Sequence, residues 1–457
     1  MKHRRTQSRM SVLRRLAAVL GLGACALAAE AAEPLKIGFV YVGPVGDHGW
    51  TYQHELGRRE LVEHFGDKVK TSFVENVAEG ADAERVIRNL AKDGYGLVFT
   101  TSFGYMNPTA KVARQFPKVT FEHATGYKRD RNLGTYLSRS YEGRYVGGFL
   151  AAKMTRSHKI GYIASFPIPE VIRDINAIQL ALDKYDPQAE LKVMWVSTWF
   201  DPGKEADAAN ALIDQGVDVV FQHTDSPAPI QAAERRGVYA VGYASDMQHF
   251  GPKTVLTSIV NDWGPHYIRS AQAVMDGTWK SEDFWGGLAE STVVLPLNQE
   301  VLPAPVREEA GRLIESIRSG AFHPFTGPIR DQSGKERFAA GVSATNADLA
   351  SMNYYVEGIK PTCRSEPWPC MEKVAERRHF PYRTHRGERD WTVYPSSTSP
   401  RSTAPTVAPG TTWRGGSTRP AASGASSTSP DTRCRPRASK PCWRRRGSSS
   451  RCPSKRS

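Results

Sequence analysis

The sequence predicts an α/β chain of two lobes, each a parallel sheet covered by helices on both faces. Two observations carry that prediction. From Leu35 onward, short β-branched and aromatic runs alternate with amphipathic helical stretches, and such β-α-β-α order specifies a parallel sheet. At Lys159 the series starts again and continues for a similar length, which argues for a second sheet.

The elements follow in order. Residues 35–42 read as a strand ending in a glycine-rich turn, and 49–65 as a helix. Strand 69–74, helix 81–92, strand 97–101, helix 106–116, strand 119–122 and helix 141–154 complete the first series. The second comprises strand 159–164, helix 169–184, strand 191–197, helix 203–215 and strand 217–221. Helix 227–236, strands 238–242 and 255–260, and helix 264–276 extend it. A strand-like run at 291–297 and a helix at 305–319 close the series; their expected return to the first lobe rests on the fold type implied by a family resemblance, not on periodicity. The expected boundaries are 33–156 plus about 286–360 for the first lobe and 157–285 for the second.

Charge separates this middle region from its ends. The 457-residue chain has a net charge of +14. Residues 361–457 alone carry 20 Lys/Arg against six Asp/Glu, and residues 1–32 carry six against one. Residues 33–360 are therefore mildly acidic, and the overall basicity is no argument for nucleic-acid binding. All six cysteines also lie in the two ends, so the middle region can form neither disulfides nor thiolate metal sites.

Residues 1–32 have the pattern of an export signal: a basic stretch to Arg15, an apolar run over 16–29, and Ala29-Glu30-Ala31 as a cleavage site. The apolar run is too short for a membrane anchor. Met10 is an alternative start. Leu22-Gly23-Ala24-Cys25 offers a competing lipobox reading, with Cys25 lipidated. Beyond Phe380 there is no Leu, Ile, Met or Phe, and Ser, Thr, Pro, Gly and Arg dominate. Such a composition cannot bury enough apolar surface to fold. Residues 361–457 are expected to be disordered, and their abrupt onset resembles translation in a shifted reading frame.

Catalytic motifs are missing. No GxSxG elbow, P-loop or HExxH occurs, and Gly43-x-x-Gly46-x-x-Gly49 departs from the dinucleotide fingerprint. His48 and His54, six apart, fall on different helix faces. What the predicted strand ends do carry is a repeated pairing of aromatic and polar residues. Asp47-His48-Gly49-Trp50 follows the first strand, and Phe103 to Asn107 follow the third. Trp199-Phe200-Asp201, His223-Thr224-Asp225 and Tyr243-Ala244-Ser245-Asp246 end strands of the second lobe. In open α/β sheets ligands bind outside those ends. Two aromatics on opposing lobes can sandwich a flat ring while a few polar groups orient it. A lone aromatic would read as packing; repetition at five strand ends points to a binding cleft.

From about Leu35 to Lys360 the chain resembles the basic membrane protein family of substrate-binding proteins. The resemblance rests on Lys36-Ile37-Gly38-Phe39-Val40, Gly46-Asp47-His48-Gly49-Trp50 and Tyr141-Glu142-Gly143-Arg144-Tyr145-Val146-Gly147-Gly148. It continues through Asp201-Pro202-Gly203-Lys204-Glu205, the run from Asp214 to Gln222, Gly242-Tyr243-Ala244-Ser245-Asp246 and Met352-Asn353-Tyr354-Tyr355-Val356. Members serve ATP-binding-cassette importers and bind purine nucleosides or related bases. The resemblance implies a type I periplasmic binding protein of two Rossmann-like lobes with a hinge and an interlobe cleft. Trp50 and Trp199 would stack on the two faces of the purine, and Asn107 would hydrogen-bond the base.

Two departures bear on the ligand. Nucleoside-binding members read Gly-Val-Asp-Ser-Asp-Gln where this chain has Gly242-Tyr243-Ala244-Ser245-Asp246-Met247, and a family Lys appears as Asn261. Both positions ordinarily contact the ribose, so their loss favours a free base, adenine first, over a nucleoside. Tyr243 and Trp263 could fill the sugar space. The expected ligand-binding set is Asp47, Trp50, Phe103, Asn107, Trp199, Asp225, Tyr243, Asp246 and Asn261. No cofactor, metal, nucleic acid or catalysis is expected. The expected protein is a periplasmic monomer whose partner is an ABC permease. Three alternatives remain at this stage: a nucleoside-transport protein, a sensory receptor of the same fold, and an exported purine enzyme.

Overall fold

The computed structural model describes residues 33–359, so the export-signal, Cys25 and C-terminal-tail expectations lie outside the described residues. Strands β1 (Leu35–Val40), β2 (Val69–Val74), β3 (Leu97–Thr100), β4 (Thr120–Ala124) and β5 (Leu133–Ser138) build the first sheet. Their order is β2-β1-β3-β4-β5, and every pairing among them is parallel. Helices α1 (Gly49–Phe65), α2 (Ala81–Lys92) and α3 (Met106–Gln115) connect the first four strands.

After α4 (Ser140–Met154) comes the second sheet: β6 (Lys159–Ala164), β7 (Glu190–Trp195), β8 (Val219–Gln222), β9 (Tyr239–Ala244) and β10 (Val255–Asn261). Its order is β7-β6-β8-β9-β10, again parallel throughout. Helices α5 (Pro169–Tyr185), α6 (Pro202–Asp214) and α7 (Ala228–Arg236) connect them. The α/β, two-sheet expectation thus holds, and the apolar runs of β3, β5 and β8 are buried along their whole length, as parallel strands covered on both faces must be.

The chain changes lobes three times. It first crosses between β5 and α4, which packs on α5 and β10 of the second lobe. It returns after β10 into α8 (Gly264–Met275), which packs on α1 of the first. Next, β11 (Asp283–Gly286) joins the first sheet beside β5, parallel to it. The last crossing takes β12 (Val293–Val294) to the second sheet, antiparallel to β10.

Four sequence expectations of lobe membership are corrected here, two of them the helices at 264–276 and 305–319, which pack on α1 of the first lobe and on α4 beside the second, respectively. The run at 291–297 does not return to the first sheet: it supplies β12 to the second, and β11 closes the first instead. The helix at 141–154 packs on the second sheet, although its sequence follows the first series. Its glycines explain why: a Cβ at Gly148 would lie 2.8 Å from the Ala181 Cβ and 3.0 Å from the Ile178 carbonyl of α5, so only glycine permits that approach.

The remainder also leans on the second lobe. Helix α9 (Ala304–Arg318) packs on α4, and α10 (Asn346–Ala350) on α5. Asn176 of α5 donates to the Tyr354 carbonyl and accepts from the Val356 amide, which anchors the 352–356 segment. Among the described residues, no helix is long and apolar enough to cross a membrane.

Candidate ligand-binding cleft

A doubly wound sheet binds ligands where its strand order reverses. The reversals lie between β1 and β3 in the first sheet and between β6 and β8 in the second. Trp50 follows β1, and Thr101, Ser102 and Phe103 follow β3. Ile168 and Glu170 follow β6, while His223 and Asp225 follow β8. All of these line one cavity, with Val42, Thr125, Trp199 and Tyr243 completing its wall. Its walls bound about 380 Å³ of space, part of it open solvent.

The aromatic walls are held from behind. Trp50 is buried in the first turn of α1, and its indole N–H donates to the Thr101 carbonyl at 2.6 Å. Edge-to-face contacts with His54 (4.6 Å between centroids) and Trp263 (5.6 Å) fix its plane. Trp199, half-buried, packs against Phe166 at 5.0 Å, and its carbonyl accepts the Asp225 amide at 2.9 Å.

The Asp201-Pro202-Gly203-Lys204-Glu205 motif is a helix start: Asp201 caps α6 by accepting the Lys204 amide, with Pro202 in the first turn. Glu205 in turn accepts from the Asp201 amide at 2.8 Å and from the Ser226 amide and hydroxyl. One carboxylate therefore ties the Trp199 loop to the Asp225 loop.

Behind the second-lobe wall lies a buried charged cluster. Arg144 Nε donates to Asp174 Oδ2 at 3.0 Å, with both side chains fully buried. Its guanidinium sits 4.5 Å over the Tyr243 ring. Ser140 donates to the other Asp174 oxygen. Burial holds His223 well below its ordinary pKa, and Arg144 and Arg173 add to the effect. Burial pushes Glu170 up to about 7 against the opposing pull of Arg173. Asp225 is raised by burial and by Glu205, while the Trp50 backbone amide opposes the rise.

Of the residues singled out from sequence, Trp50, Phe103, Trp199, Asp225 and Tyr243 come together in the cavity wall. Four do not. Asp47 is exposed and bound to its neighbour His48 at 2.6 Å, and Asp246 is exposed and accepts the Gln248 amide. Asn107 is exposed, its side-chain oxygen accepting a hydrogen bond from the Lys128 ammonium at 2.7 Å. Asn261 is fully buried at the end of β10, outside the cavity wall, and among the described residues neither polar atom of its side chain has a hydrogen-bond partner. Sequence reading did not single out Glu170, His223, Thr101, Ser102 or Thr125 as ligand contacts. Glu170 sits just after a strand end, in the first turn of a Pro-initiated helix, and that position was the available signal.

The two lobes touch across the mouth of the cleft. The Gly49 amide donates to Ser245 Oγ at 2.8 Å, and the Gln53 side chain to the Asn261 carbonyl at 2.5 Å. Gly49 has φ +81° and faces the Asp225 backbone. A second hollow shares Trp50 and Asp225 with the first and opens past Gly43, His48 and Phe200. Among the described residues no group of three or more His, Cys, Asp or Glu side chains could hold a metal ion.

Two doubly wound lobes joined by three crossings define the two-lobed fold of the periplasmic binding proteins. Residues 35–321 match the family described as ABC transporter substrate-binding protein PnrA-like (Bmp), and the chain belongs to that family. Its members bind and deliver a small-molecule substrate; the family is a substrate-binding one, not a catalytic one. The chain is 55% identical to a purine-binding protein of Brucella abortus, over 73% of this chain and 95% of that one. It is 41% identical to a Haloferax volcanii protein provisionally named an ABC transporter glucose-binding protein, over 72% of this chain and 81% of that one. Among solved structures it resembles an ABC transporter solute-binding protein from Aeropyrum pernix (TM-score 0.55, 19% identity, 66% and 95% of the two chains). Another from Conexibacter woesei gives a TM-score of 0.53 at 22% identity, over 63% and 98%. At those identities the likeness speaks for the fold.

Proposed function

We propose that the protein captures a free purine base, adenine first, in the periplasm, and that its closed form is delivered to an ABC permease. The observation that carries this reading is the placement of Trp50 and Trp199 in one cavity wall, from opposite lobes, with carboxyl and imidazole groups beside them. A flat heteroaromatic ring satisfies both: its faces stack and its edge hydrogen-bonds. The name of the Brucella relative points the same way. The basic, apolar and small-residue pattern of residues 1–32 supports export.

A bare base is favoured over a nucleoside because Ala244 offers no polar side chain and Asn261 lies outside the cavity wall. The name of the Haloferax relative favours a sugar as second reading. Against it, a sugar needs hydrogen-bonding partners around its whole rim, whereas Val42, Trp50, Phe103, Ile168, Trp199 and Tyr243, half of the lining residues, present apolar or aromatic surface. Calorimetric titration with adenine, adenosine and glucose tests the choice. Adenine is expected to bind tightly; tight binding of adenosine or glucose with no heat from adenine would refute the proposal.

A further inference from the structure

Glu170 is one of two carboxyls in the cavity wall, with Asp225, and the protein occupies little of it. Its Oε1 receives only a long hydrogen bond from the Tyr243 hydroxyl, at 3.4 Å, and among the described residues its Oε2 has no hydrogen-bond partner. The Thr101 and Ser102 hydroxyls, by contrast, donate to the Val40 carbonyl and to Glu79. His223 stands next to Glu170, with Nε2 3.9 Å from Oε1.

The surroundings of His223 assign its proton. Tyr162 OH lies 2.7 Å from Nδ1, Arg144 Nη2 3.5 Å and Asp174 Oδ2 3.6 Å from the same atom. The Asp174 oxygen is already paired with Arg144 Nε at 3.0 Å and stands beyond hydrogen-bond range of the ring, and a guanidinium has no acceptor, so Nδ1 is the accepting nitrogen. The ring is neutral because burial and two arginines disfavour its charged form. Its single proton therefore sits on Nε2, beside Glu170. The second-lobe wall thus offers an adjacent pair: an N–H donor and a carboxyl.

Purine edges differ at the matching positions. The 6-amino base presents N7 as acceptor and the N6 amino group as donor; the 6-oxo base presents N7 and O6, both acceptors. Resting on the purine reading above, we propose that Glu170, next to the His223 Nε2 proton, is the residue that distinguishes a 6-amino from a 6-oxo purine. His223 donates to the ring nitrogen in either case. Ionised Glu170 accepts from the amino group and repels a carbonyl oxygen; protonated, it can donate to that oxygen.

The groups facing Glu170 are Arg144, Arg173, Asp174, Tyr243 and His223, with Asp225 across the cavity. Of these, Asp225 is the other candidate for a pH effect on the ligand. The test is calorimetric titration of the wild type and Glu170→Gln with adenine and with hypoxanthine, at about pH 6 and about pH 8, either side of the Glu170 value of about 7. Glu170 is roughly one-tenth ionised at the lower pH and nine-tenths at the higher, so the wild-type adenine-to-hypoxanthine affinity ratio should rise about tenfold or more between them. In Glu170→Gln, whose amide both donates and accepts, the ratio should be small and independent of pH. A wild-type ratio equal at both pH values overturns the assignment, whether or not the variant folds. So does a variant that keeps the pH-dependent ratio, which would transfer the effect to Asp225. Absence of heat from either base in the wild type would overturn the purine reading itself, and this assignment with it.

Discussion

Replacing Gly49 by alanine should separate lobe closure from lobe stability. A Cβ there would stand 2.6 Å from the Asp225 carbonyl oxygen, a backbone atom that cannot swing away. Restoring ordinary contact at about 3.4 Å parts the rims by roughly 0.8 Å. The Gly49 N–Ser245 Oγ bond then lengthens from 2.8 Å to about 3.6 Å and is lost. The closed form should lose about 1–2 kcal/mol, which weakens ligand affinity about 5- to 30-fold. Alanine at φ +81° also carries about 1–2 kcal/mol of backbone strain, present open or closed, so it lowers the ligand-free Tm but not the affinity. Gly66→Ala is the control: φ is +54° there, and nothing lies within 4 Å of its Cβ position. It should lower the Tm similarly and leave binding unchanged. Titration calorimetry with adenine reads the affinity, and calorimetric unfolding reads the strain. A Gly49→Ala protein that binds as tightly as the wild type would show that the Gly49–Asp225 approach has no part in closure.

Other perturbations probe the walls and the core. Trp199→Ala should cost about 1–3 kcal/mol of binding with little change in urea stability, because the ring is half-buried; Trp50→Ala should lose both, since its indole also holds the Thr101 loop. Asp174→Ala leaves the fully buried Arg144 without its counter-charge and should lower stability by about 3–5 kcal/mol in denaturant titrations. Glu142 accepts the Leu288 amide at the β11–β12 crossing, and burial raises its carboxyl from 4.5 to about 7. Between those values the folded state holds the extra proton, so stability falls as pH rises through the window. That contribution reaches about 3 kcal/mol. The stability of Glu142→Gln relative to wild type should therefore rise between pH 4.5 and 7; a difference constant with pH contradicts it.

The sheets were legible because parallel strands buried on both faces are written as apolar runs, and β1, β3, β6 and β8 stand where the alternation puts them. The crossings were not. Only 291–297 reads as an extended run; 283–286 is not predicted as a strand, and only tertiary pairing decides that it completes one sheet and the later run the other. The same limit applies to the cleft. Trp50, Phe103, Trp199, Asp225 and Tyr243 follow strand ends, and strand ends converge. Asn107 follows one too, but it lies in the first turn of α3, four residues beyond Phe103, and its exposed side chain pairs with Lys128. Glu170 escaped notice because a Glu in the first turn of a helix already has a bland role beside the helix dipole. Its open oxygen becomes visible only once Tyr243 and His223 are placed around it.

The threefold crossing has a consequence for how the chain matures. Neither lobe is a contiguous stretch, so the first sheet lacks its β11 edge until residues 283–286 have left the ribosome. The second sheet lacks β12 until residues 293–294 have followed. Pairing β5 with β11 joins residues almost 150 positions apart, and contacts of such range form late and slowly. An incomplete chain consequently exposes open sheet edges and has no finished unit to lock. That leaves it dependent on protection from aggregation until the last crossing is made.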